Sequence, residues 1–466
     1  MDSIKFSFNS IKFLTFKLER VLKELDTYYY YSDDYRFIIS TLHNSLIISY
    51  NEFLKIIEKS FYDIKKDILY NKFIEDSDNI IIELKILTYI HSVVRFIKLA
   101  KDFNVHQGIF ILIRECMKKI SSDSKFIFIP RFEFDYSYKH LTDTLFKIST
   151  DKNLSKMDIV LFAIPYFNQA DIFSSALLGH ELGHFILRKE EKVKKEKSQL
   201  KALKVEDATF SPDFRTRIYS WNTEFACDLL GLKIFGLSYF FAFFEFIFLE
   251  NPFKAGTKDY PPNWLRLKLL IKEIKKTGIY DIIDDNIELL KIGLRDYGKE
   301  IKTFIDFFDN KIDDFKNKSK FERFGREINY IESKNEFKRI IDSMDKILSS
   351  SENYKELEYY YDKDSISEVK ELIKLLNEYI TPNELILKGD KVGKPKIKVA
   401  SIRNILNAGW LFLLFNIKKH YRIFNVNKEK EFKKREEKKM EIRQKLNELV
   451  LKAIESSYIK TKFCES

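Results

Sequence analysis

The chain has 466 residues, with 81 Lys and Arg against 70 Asp and Glu, and a formal net charge of +11. This length allows two to four domains with a large core. The positive excess is spread along the chain, so it is compatible with nucleic acid or an acidic partner without requiring either. The three cysteines are far apart and form no CxxC pair, which argues against a disulfide framework and predicts a reducing, cytoplasmic environment.

The first 120 residues are predicted to be helical. Apolar residues recur at helical spacing near 10–27, 35–72, 78–103 and 107–120. The first 25 residues contain neither a continuous apolar segment nor a small-residue cleavage site, so we do not expect a secretory signal. We therefore define 1–120 as a helical N-terminal region.

Two strand-like segments follow. Residues 125–134 alternate between apolar and polar positions, and residues 157–165 are rich in β-branched and aromatic side chains up to Pro165. The two segments predict a small sheet within a region 121–275, in an α+β protein that is otherwise predominantly α-helical. They can instead be buried core strands with no role in substrate binding.

The most informative motif is Gly-His-Glu-Leu-Gly-His at residues 179–184. His180 and His184 are four residues apart and share one helix face, so both imidazoles can bind one Zn²⁺. Glu181 lies beside the first histidine, where it can accept a proton from water that the metal activates. Asn168 or Asp171 can cap the helix. Because the chain has only seven His, a chance match is expected in about one such chain in a hundred. The alternative is two ordinary core histidines.

A zinc site of this kind needs a third protein ligand. A metzincin would have Gly and His where this chain has Leu187 and Glu190, so that class is excluded. A glutamate from a later helix is the remaining common solution, and Glu224 in the run 221–231 supplies one. Asp228, four residues further, can accept the outer ring N–H of a zinc-bound histidine. Both acids can instead belong to an ordinary amphipathic helix, but their neighbours are apolar.

The pair HELGH and TEFACDLLG resembles the gluzincin metallopeptidases, most closely the branch of the CAAX prenyl proteases and heat-shock membrane peptidases. The resemblance covers roughly residues 155–275. Cys227 stands where that branch usually has Ala, and phage-repressor-cleaving and stress-regulator peptidases also carry a HELGH helix. The resemblance implies a Zn²⁺-dependent enzyme that hydrolyses protein or peptide substrates. It also implies a small sheet whose edge strand, here 157–165, lies beside the two metal-binding helices and pairs with extended substrate.

A weaker part of the resemblance lies at Tyr260-Pro261-Pro262. Family members often have His-Pro followed by an Arg and an apolar helix, and here Tyr260 replaces that His while Arg266 follows. The resemblance suggests that Tyr260 or Arg266 stabilises the oxyanion of the transition state. The alternative is a rigid turn ahead of a helix.

Two apolar stretches raise the question of a membrane. Residues 229–249 are long enough to span a bilayer, but Lys233 and Glu245 lie within them and favour a buried helix. Residues 405–417 are too short to span and predict a core helix. We therefore expect a protein without a membrane partner.

The remaining segments are mostly charged and helical. Residues 188–204 predict a solvated helix end or loop, 276–385 a further helical region, and 388–395 a flexible turn or linker. Residues 400–466 are expected to form C-terminal helices, in which 428–452 is an exposed, charged arm suited to docking on a partner.

The sequence therefore predicts a cytoplasmic zinc metallopeptidase with Glu181 as general base. The alternative is a non-catalytic regulatory or scaffold protein with a structural or relic zinc site, in which a fourth ligand such as His420 or Cys227 closes the metal. A third possibility is a latent peptidase that its helical flanks restrain until a regulatory protein partner or a nucleic acid releases it. No sequence feature supports the nucleic acid specifically.

Overall fold

The structure is a computed structural model. It describes residues 105–120, 124–131, 136–140, 159–194, 212–250, 256–257, 259–276, 305–311, 363–387, 396–415 and 432–465, with the isolated positions 16, 20, 51, 55 and 303. The helices predicted near 10–27, 35–72 and 78–103 lie outside the described residues except at those isolated positions, and so does the linker at 388–395.

The described part of the chain is mostly helical, with a small sheet of few strands. It divides into two compact units, one of residues 1–104 and 121–169 and the other of residues 105–120 and 170–466.

The first unit contains a three-stranded sheet. Its strands are β1 (Lys125–Arg131), β2 (Ser137–His140) and β3 (Ile159–Pro165). β3 pairs in parallel with β1 and antiparallel with β2, so the order is β1-β3-β2. The prediction that 157–165 is an edge strand is therefore wrong: among the described strands β3 is central, and all seven of its residues are buried. β3 is central because β2 pairs with its second edge. β2 has only four residues, which are too few for the sequence to predict a strand there.

Besides the helical residues 303 and 305–311, the second unit contains eight longer helices among the described residues. They are α1 (Gln107–Ile120), α2 (Leu178–Lys194), α3 (Pro212–Phe235), α4 (Leu237–Glu250), α5 (Asn263–Lys276), α6 (Lys363–Asn377), α7 (Ile402–Phe415) and α8 (Phe432–Glu465). A two-stranded antiparallel sheet, β4 (Glu384–Leu387) with β5 (Lys396–Val399), lies between α6 and α7 in the chain. The predicted helix at 107–120 and the predicted core helix at 405–417 are confirmed as α1 and α7.

The apolar stretch 229–249 is two helices and not one. α3 ends at Phe235 and α4 begins at Leu237, because Gly236 adopts a left-handed φ of 63° that a side chain would disfavour. Its N–H still bonds to Leu232, and its carbonyl accepts the Tyr239 N–H, so the chain turns without losing backbone hydrogen bonds. None of the helices among the described residues has the length and apolarity needed to cross a bilayer.

The C-terminal helix α8 packs into the second unit along its second half. Ile442, Leu446 and Val450 repeat every four residues and are buried, as are Leu451 and Ile454. The prediction of an exposed arm over 428–452 is therefore wrong from Ile442 onward. The many Lys and Glu residues of this segment made it look polar throughout, although apolar residues recur at i, i+4 and i+8 and form one face of the helix.

Candidate metal centre

Helix α2 carries the histidine pair and begins in a well-anchored turn. The Asp171 carboxylate accepts the backbone N–H groups of Phe173 (3.0 Å) and Ser174 (3.4 Å), which caps a short 3₁₀ turn at Ser174–Leu177 that leads directly into α2. From α8, Arg443 contacts Asp171, and the Asn447 side chain accepts the Ile172 N–H at 2.9 Å. The start of the metal-binding helix is thus fixed from both its own turn and the last helix of the chain.

The two imidazoles lie on one face of α2, as the i, i+4 spacing predicts. The ring centroids of His180 and His184 are 4.8 Å apart with the planes nearly perpendicular. Glu181 is buried, with 7% of its surface exposed.

The backbones of helices α2 and α3 approach closely because glycines face the contact. A Cβ added to Gly183 would lie 2.8 Å from the Cα of Cys227 and 3.0 Å from its carbonyl oxygen. A Cβ on Gly179 would lie 3.0 Å from the Cα of Gly231 and 2.8 Å from the Phe235 ring. Real Cβ atoms essentially never come within 3.0 Å of another atom, and contacts of 3.0–3.4 Å are tighter than nine in ten that are observed. The glycines that flank each histidine therefore allow α3 to present its side chains directly to the imidazoles.

Glu224 on α3 reaches both imidazoles. Its Oε2 is 3.1 Å from His180 Nε2, and its Oε1 is 3.5 Å from His184 Nε2. Oε2 is buried and accepts no hydrogen bond of good geometry from the described residues, although His180 Nε2 lies 3.1 Å away. A buried carboxylate whose two oxygens each lie close to a different imidazole nitrogen is suited to hold a metal ion together with those nitrogens.

Asp228, one turn beyond Glu224, lies on the outer side of His180. Its Oδ1 is 2.9 Å from His180 Nδ1, and the same carboxylate accepts hydrogen bonds from Arg266 Nε (2.7 Å), Arg266 Nη2 (2.6 Å) and the Tyr239 hydroxyl (2.7 Å). Burial alone would raise the pKa of Asp228, but the charge and hydrogen bonds of Arg266 hold that pKa well below its usual range. An ionised Asp228 only accepts, so Nδ1 of His180 carries a proton, and Nε2, which faces Glu224, is the nitrogen that must lose its proton to bind a metal.

The two histidines differ in protonation. Burial lowers the pKa of His180, but Glu224 and Asp228 outweigh burial and raise that pKa to about 10. Burial and the positive charge of His180 lower the pKa of His184 to about 4. The pKa of Glu224 is lowered because the attraction of His180 outweighs the opposing effect of burial. Near neutral pH the metal-free site thus holds His180 as a positively charged imidazolium beside an ionised Glu224, whereas the His184 ring is neutral.

Cys227 adds a fourth potential donor. Its sulfur and one nitrogen from each of His180 and His184 all lie within 4.8 Å of one another. Burial, followed by the neighbouring carboxylates, raises the thiol pKa well above its usual value. The thiol is therefore protonated in the metal-free protein, whereas the Glu224 carboxylate is ionised, so Glu224 is the better-prepared third ligand.

The donor set of His180, His184 and Glu224 is suited to zinc. Ligand atoms about 2.0–2.1 Å from a tetrahedral zinc are roughly 3.3–3.5 Å apart. The nitrogen–oxygen separations of 3.1 and 3.5 Å are comparable, but they involve different oxygens of the Glu224 carboxylate, whereas the group of donors that all lie within 4.8 Å of one another is His180, His184 and Cys227. Two imidazole nitrogens and one carboxylate are also a common protein ligand set for catalytic Zn²⁺.

The two residues suggested as oxyanion stabilisers lie in different surroundings. Tyr260 is exposed, and its backbone forms a turn with Thr257 ahead of α5. Arg266 is buried, and it contacts Asp228, His180 Nδ1 at 3.3 Å and the face of the Phe243 ring at 4.7 Å. The structure thus brings Arg266 to the metal-binding residues, on the outer side of His180, and places Tyr260 in a turn.

Sequence reasoning missed one participant, Tyr239, and considered Cys227 only as a fourth ligand of a structural site. Tyr239 lies on α4 beyond the Gly236 break, so no local spacing links it to Asp228. The proximity of Cys227 to the imidazoles follows from the three-residue step from Glu224, which places both on one face of α3. That step was visible in the sequence, but a thiol in an apolar run is more often part of the core.

Comparison with protein-family models, curated proteins and solved structures gives no match to this chain.

Proposed function

We propose that this protein is a zinc-dependent metallopeptidase that hydrolyses peptide bonds in a protein or peptide substrate. The observation that carries the proposal is the position of Glu224. A carboxylate from one helix meets the Nε2 atoms of two histidines from another, at separations of 3.1 and 3.5 Å. Zn²⁺ bound there would polarise a substrate carbonyl and acidify water.

The proposal assigns a role to each of these protein residues. His180, His184 and Glu224 would hold the ion, and Asp228 would hold the tautomer of His180 that offers Nε2. Glu181, on the same helix as the histidines, would accept a proton from the attacking water and deliver it to the leaving amine. The contacts of Arg266 with Asp228 favour a positioning role for it over oxyanion binding, which would leave Tyr260 as the other candidate for that step.

Glu181→Gln tests the proposal, because it removes the base and keeps the size of the side chain. We expect zinc content to stay at wild-type stoichiometry while the turnover of a casein or peptide-library substrate falls by about 10²–10⁴-fold. His184→Ala is the matched comparison, and should lose both zinc and turnover. Full proteolysis by Glu181→Gln would contradict the proposed mechanism.

One observation favours a second candidate, a structural zinc site in a regulatory or scaffold protein. Cys227 is close enough to both histidines to serve as a fourth protein ligand, and a site with four protein ligands leaves no position for water. Replacement of zinc by Co²⁺ separates the two candidates. Absorption from a thiolate–cobalt bond that disappears in Cys227→Ala would support the structural site, and its absence from the wild type would support the peptidase.

A further inference from the structure

The segment that leads into the metal-binding helix is held by side chains of the last two helices. Trp410 of α7 donates its indole N–H to the Phe173 carbonyl at 3.3 Å, and the two rings pack edge to face with centroids 5.3 Å apart. From α8, Asn447 and Arg443 contact residues 170–172. The chain is therefore attached on more than one side immediately before it enters α2.

Asn447 pairs with the backbone on both sides of Asp171. Its Nδ2 donates to the Ala170 carbonyl at 2.6 Å, and its Oδ1 accepts the Ile172 N–H at 2.9 Å. Both backbone groups lie ahead of the 3₁₀ turn and of α2, so the helix itself does not fix them. A single side-chain amide thus determines both the position and the orientation of the chain at this point.

Arg443 lies one turn before Asn447 on the same face of α8 and links the segment to α4. Its guanidinium donates to the two carboxylate oxygens of Glu245 at 2.5 and 2.9 Å and to Asp171 Oδ2 at 3.3 Å. The other oxygen of Asp171 caps the 3₁₀ turn. Because the fork of the guanidinium is planar, its two bonds to Glu245 also fix the direction of its bond to Asp171.

The contact between α2 and α3 does not by itself fix the rotation of α2 about its own axis. Gly179 and Gly183 set the distance between the two backbones, but they have no side chains that interlock with α3. A rotation of about 5° would move an atom that lies about 5–6 Å from the helix axis by roughly 0.5 Å. Metal–ligand distances tolerate only about 0.2 Å. An attachment at the start of α2 restricts this rotation.

We propose that Asn447 and Arg443 are positioning residues of the metal centre, which act through the segment 170–173 on the two imidazoles of α2. The inference rests on the proposed zinc site and does not depend on peptidase activity. A residue that only stabilised the fold would lower the free energy of unfolding and leave the zinc affinity of the folded protein unchanged. A positioning residue changes the zinc affinity of the folded protein itself.

Asn447→Leu tests the proposal, because it removes both hydrogen bonds and keeps nearly the same side-chain size. Competition with a chromophoric chelator measures the zinc affinity of the full chain, and the visible absorption of the Co²⁺-substituted protein reports the ligand geometry. We expect zinc affinity to fall about threefold to thirtyfold and the Co²⁺ absorption to change. Arg443→Gln should lower zinc affinity in the same direction.

Two controls separate positioning from stability. Gln444→Leu makes the same change from an amide to an apolar side chain, on the same helix but at an exposed position, and should leave zinc affinity within twofold and the Co²⁺ absorption unchanged. Ile454→Val removes a buried methyl group of α8 and should lower the free energy of unfolding with zinc affinity also within twofold.

Two results would overturn the proposal. The first is a folded Asn447→Leu with zinc affinity within twofold of the wild type and the same Co²⁺ absorption. The second is an equal loss of zinc affinity in Asn447→Leu and Ile454→Val, which would assign the effect to stability. If Asn447→Leu fails to fold, Arg443→Gln decides the comparison, because about a third of the Arg443 side chain is exposed.

Failure of the proposed function can be distinguished from failure of this inference. A wild-type protein that binds no zinc would overturn both. The absence of peptidase activity alone would change neither the zinc affinity nor the Co²⁺ absorption on which the comparison of variants depends.

Discussion

Gly183→Ala should separate the two metal-binding helices without touching any ligand. The added Cβ would lie 2.8 Å from the Cα of Cys227 and 3.0 Å from its carbonyl oxygen. Both are backbone atoms of α3, so no side chain can rotate away. Ordinary van der Waals contact begins near 3.4 Å, and the helices must therefore move apart by roughly half an ångström.

The effects on stability and on zinc binding should differ in size. Alanine gains up to about 1 kcal/mol over glycine in helix propensity. Overpacking costs about 1–3 kcal/mol, so the net change in the free energy of unfolding should be a loss of up to about 2 kcal/mol. The proposed zinc site should be more sensitive, because two of its proposed ligands are on α2 and the third is on α3. Metal–ligand distances tolerate only about 0.2 Å, and we expect zinc affinity to fall about 10–100-fold.

Competition with a chromophoric chelator measures zinc affinity, and urea denaturation of the metal-free protein measures stability. The control is Ile454→Val, a fully buried change on α8 that should cost about 0.5–1.5 kcal/mol. It should lower stability comparably and leave zinc affinity within twofold. Zinc affinity of Gly183→Ala equal to that of the wild type would refute the argument that close helix approach sets the ligand geometry.

Two further predictions concern the environment of His180. Because the pKa of His180 is raised to about 10 and that of His184 is lowered to about 4, zinc must displace one proton near neutral pH. The apparent affinity for zinc should then rise about tenfold per pH unit between about pH 6 and 9. Calorimetry in buffers of different ionisation enthalpy should detect the release of close to one proton for each zinc bound. Detection of no released proton would contradict the assignment of a proton to His180. Asp228→Asn leaves the buried Arg266 guanidinium without its carboxylate and should cost about 3–5 kcal/mol of stability as well as zinc affinity. Tyr239→Phe removes one of several hydrogen bonds to the same carboxylate and should cost about 1 kcal/mol; equal losses in the two variants would show that the charge of Asp228 is not what matters.

The features that sequence predicted well are those with a local period. Apolar spacing placed α1 at its observed residues, and two β-branched segments became β1 and β3, paired with each other. The i, i+4 spacings of His180 with His184 and of Glu224 with Asp228 each define a helix face. Local spacing does not specify how two helices approach each other, and the separations between Glu224 and the imidazoles had to come from the structure.

The features that sequence missed depend on contacts between distant segments. β2 makes β3 a central strand, and Gly236 breaks an apolar stretch that looks continuous in hydropathy. The resemblance suggested Arg266 or Tyr260 as the oxyanion stabiliser, but the sequence did not indicate that Arg266 pairs with Asp228, 38 residues earlier in the chain. A charged side chain turns towards the nearest buried opposite charge, and that partner is defined only by the tertiary fold.

Asp228 and Arg266 form a charged pair beside His180, and burying this pair in a helical core costs folding free energy. A contribution to stability therefore does not explain why the pair is present. Asp228 is fully buried and Arg266 nearly so, and both must be taken out of water. Apolar residues of similar volume in place of a buried ion pair are often neutral or stabilising, because the desolvation penalty can exceed the attraction. The pair does, however, determine which nitrogen of His180 carries the proton, a property that no apolar replacement could supply. We infer that Asp228 and Arg266 are present to orient His180 towards Glu224. Asp228→Leu/Arg266→Met should then fold with near-wild-type stability and lose zinc affinity, a separation that a purely structural ion pair would not produce.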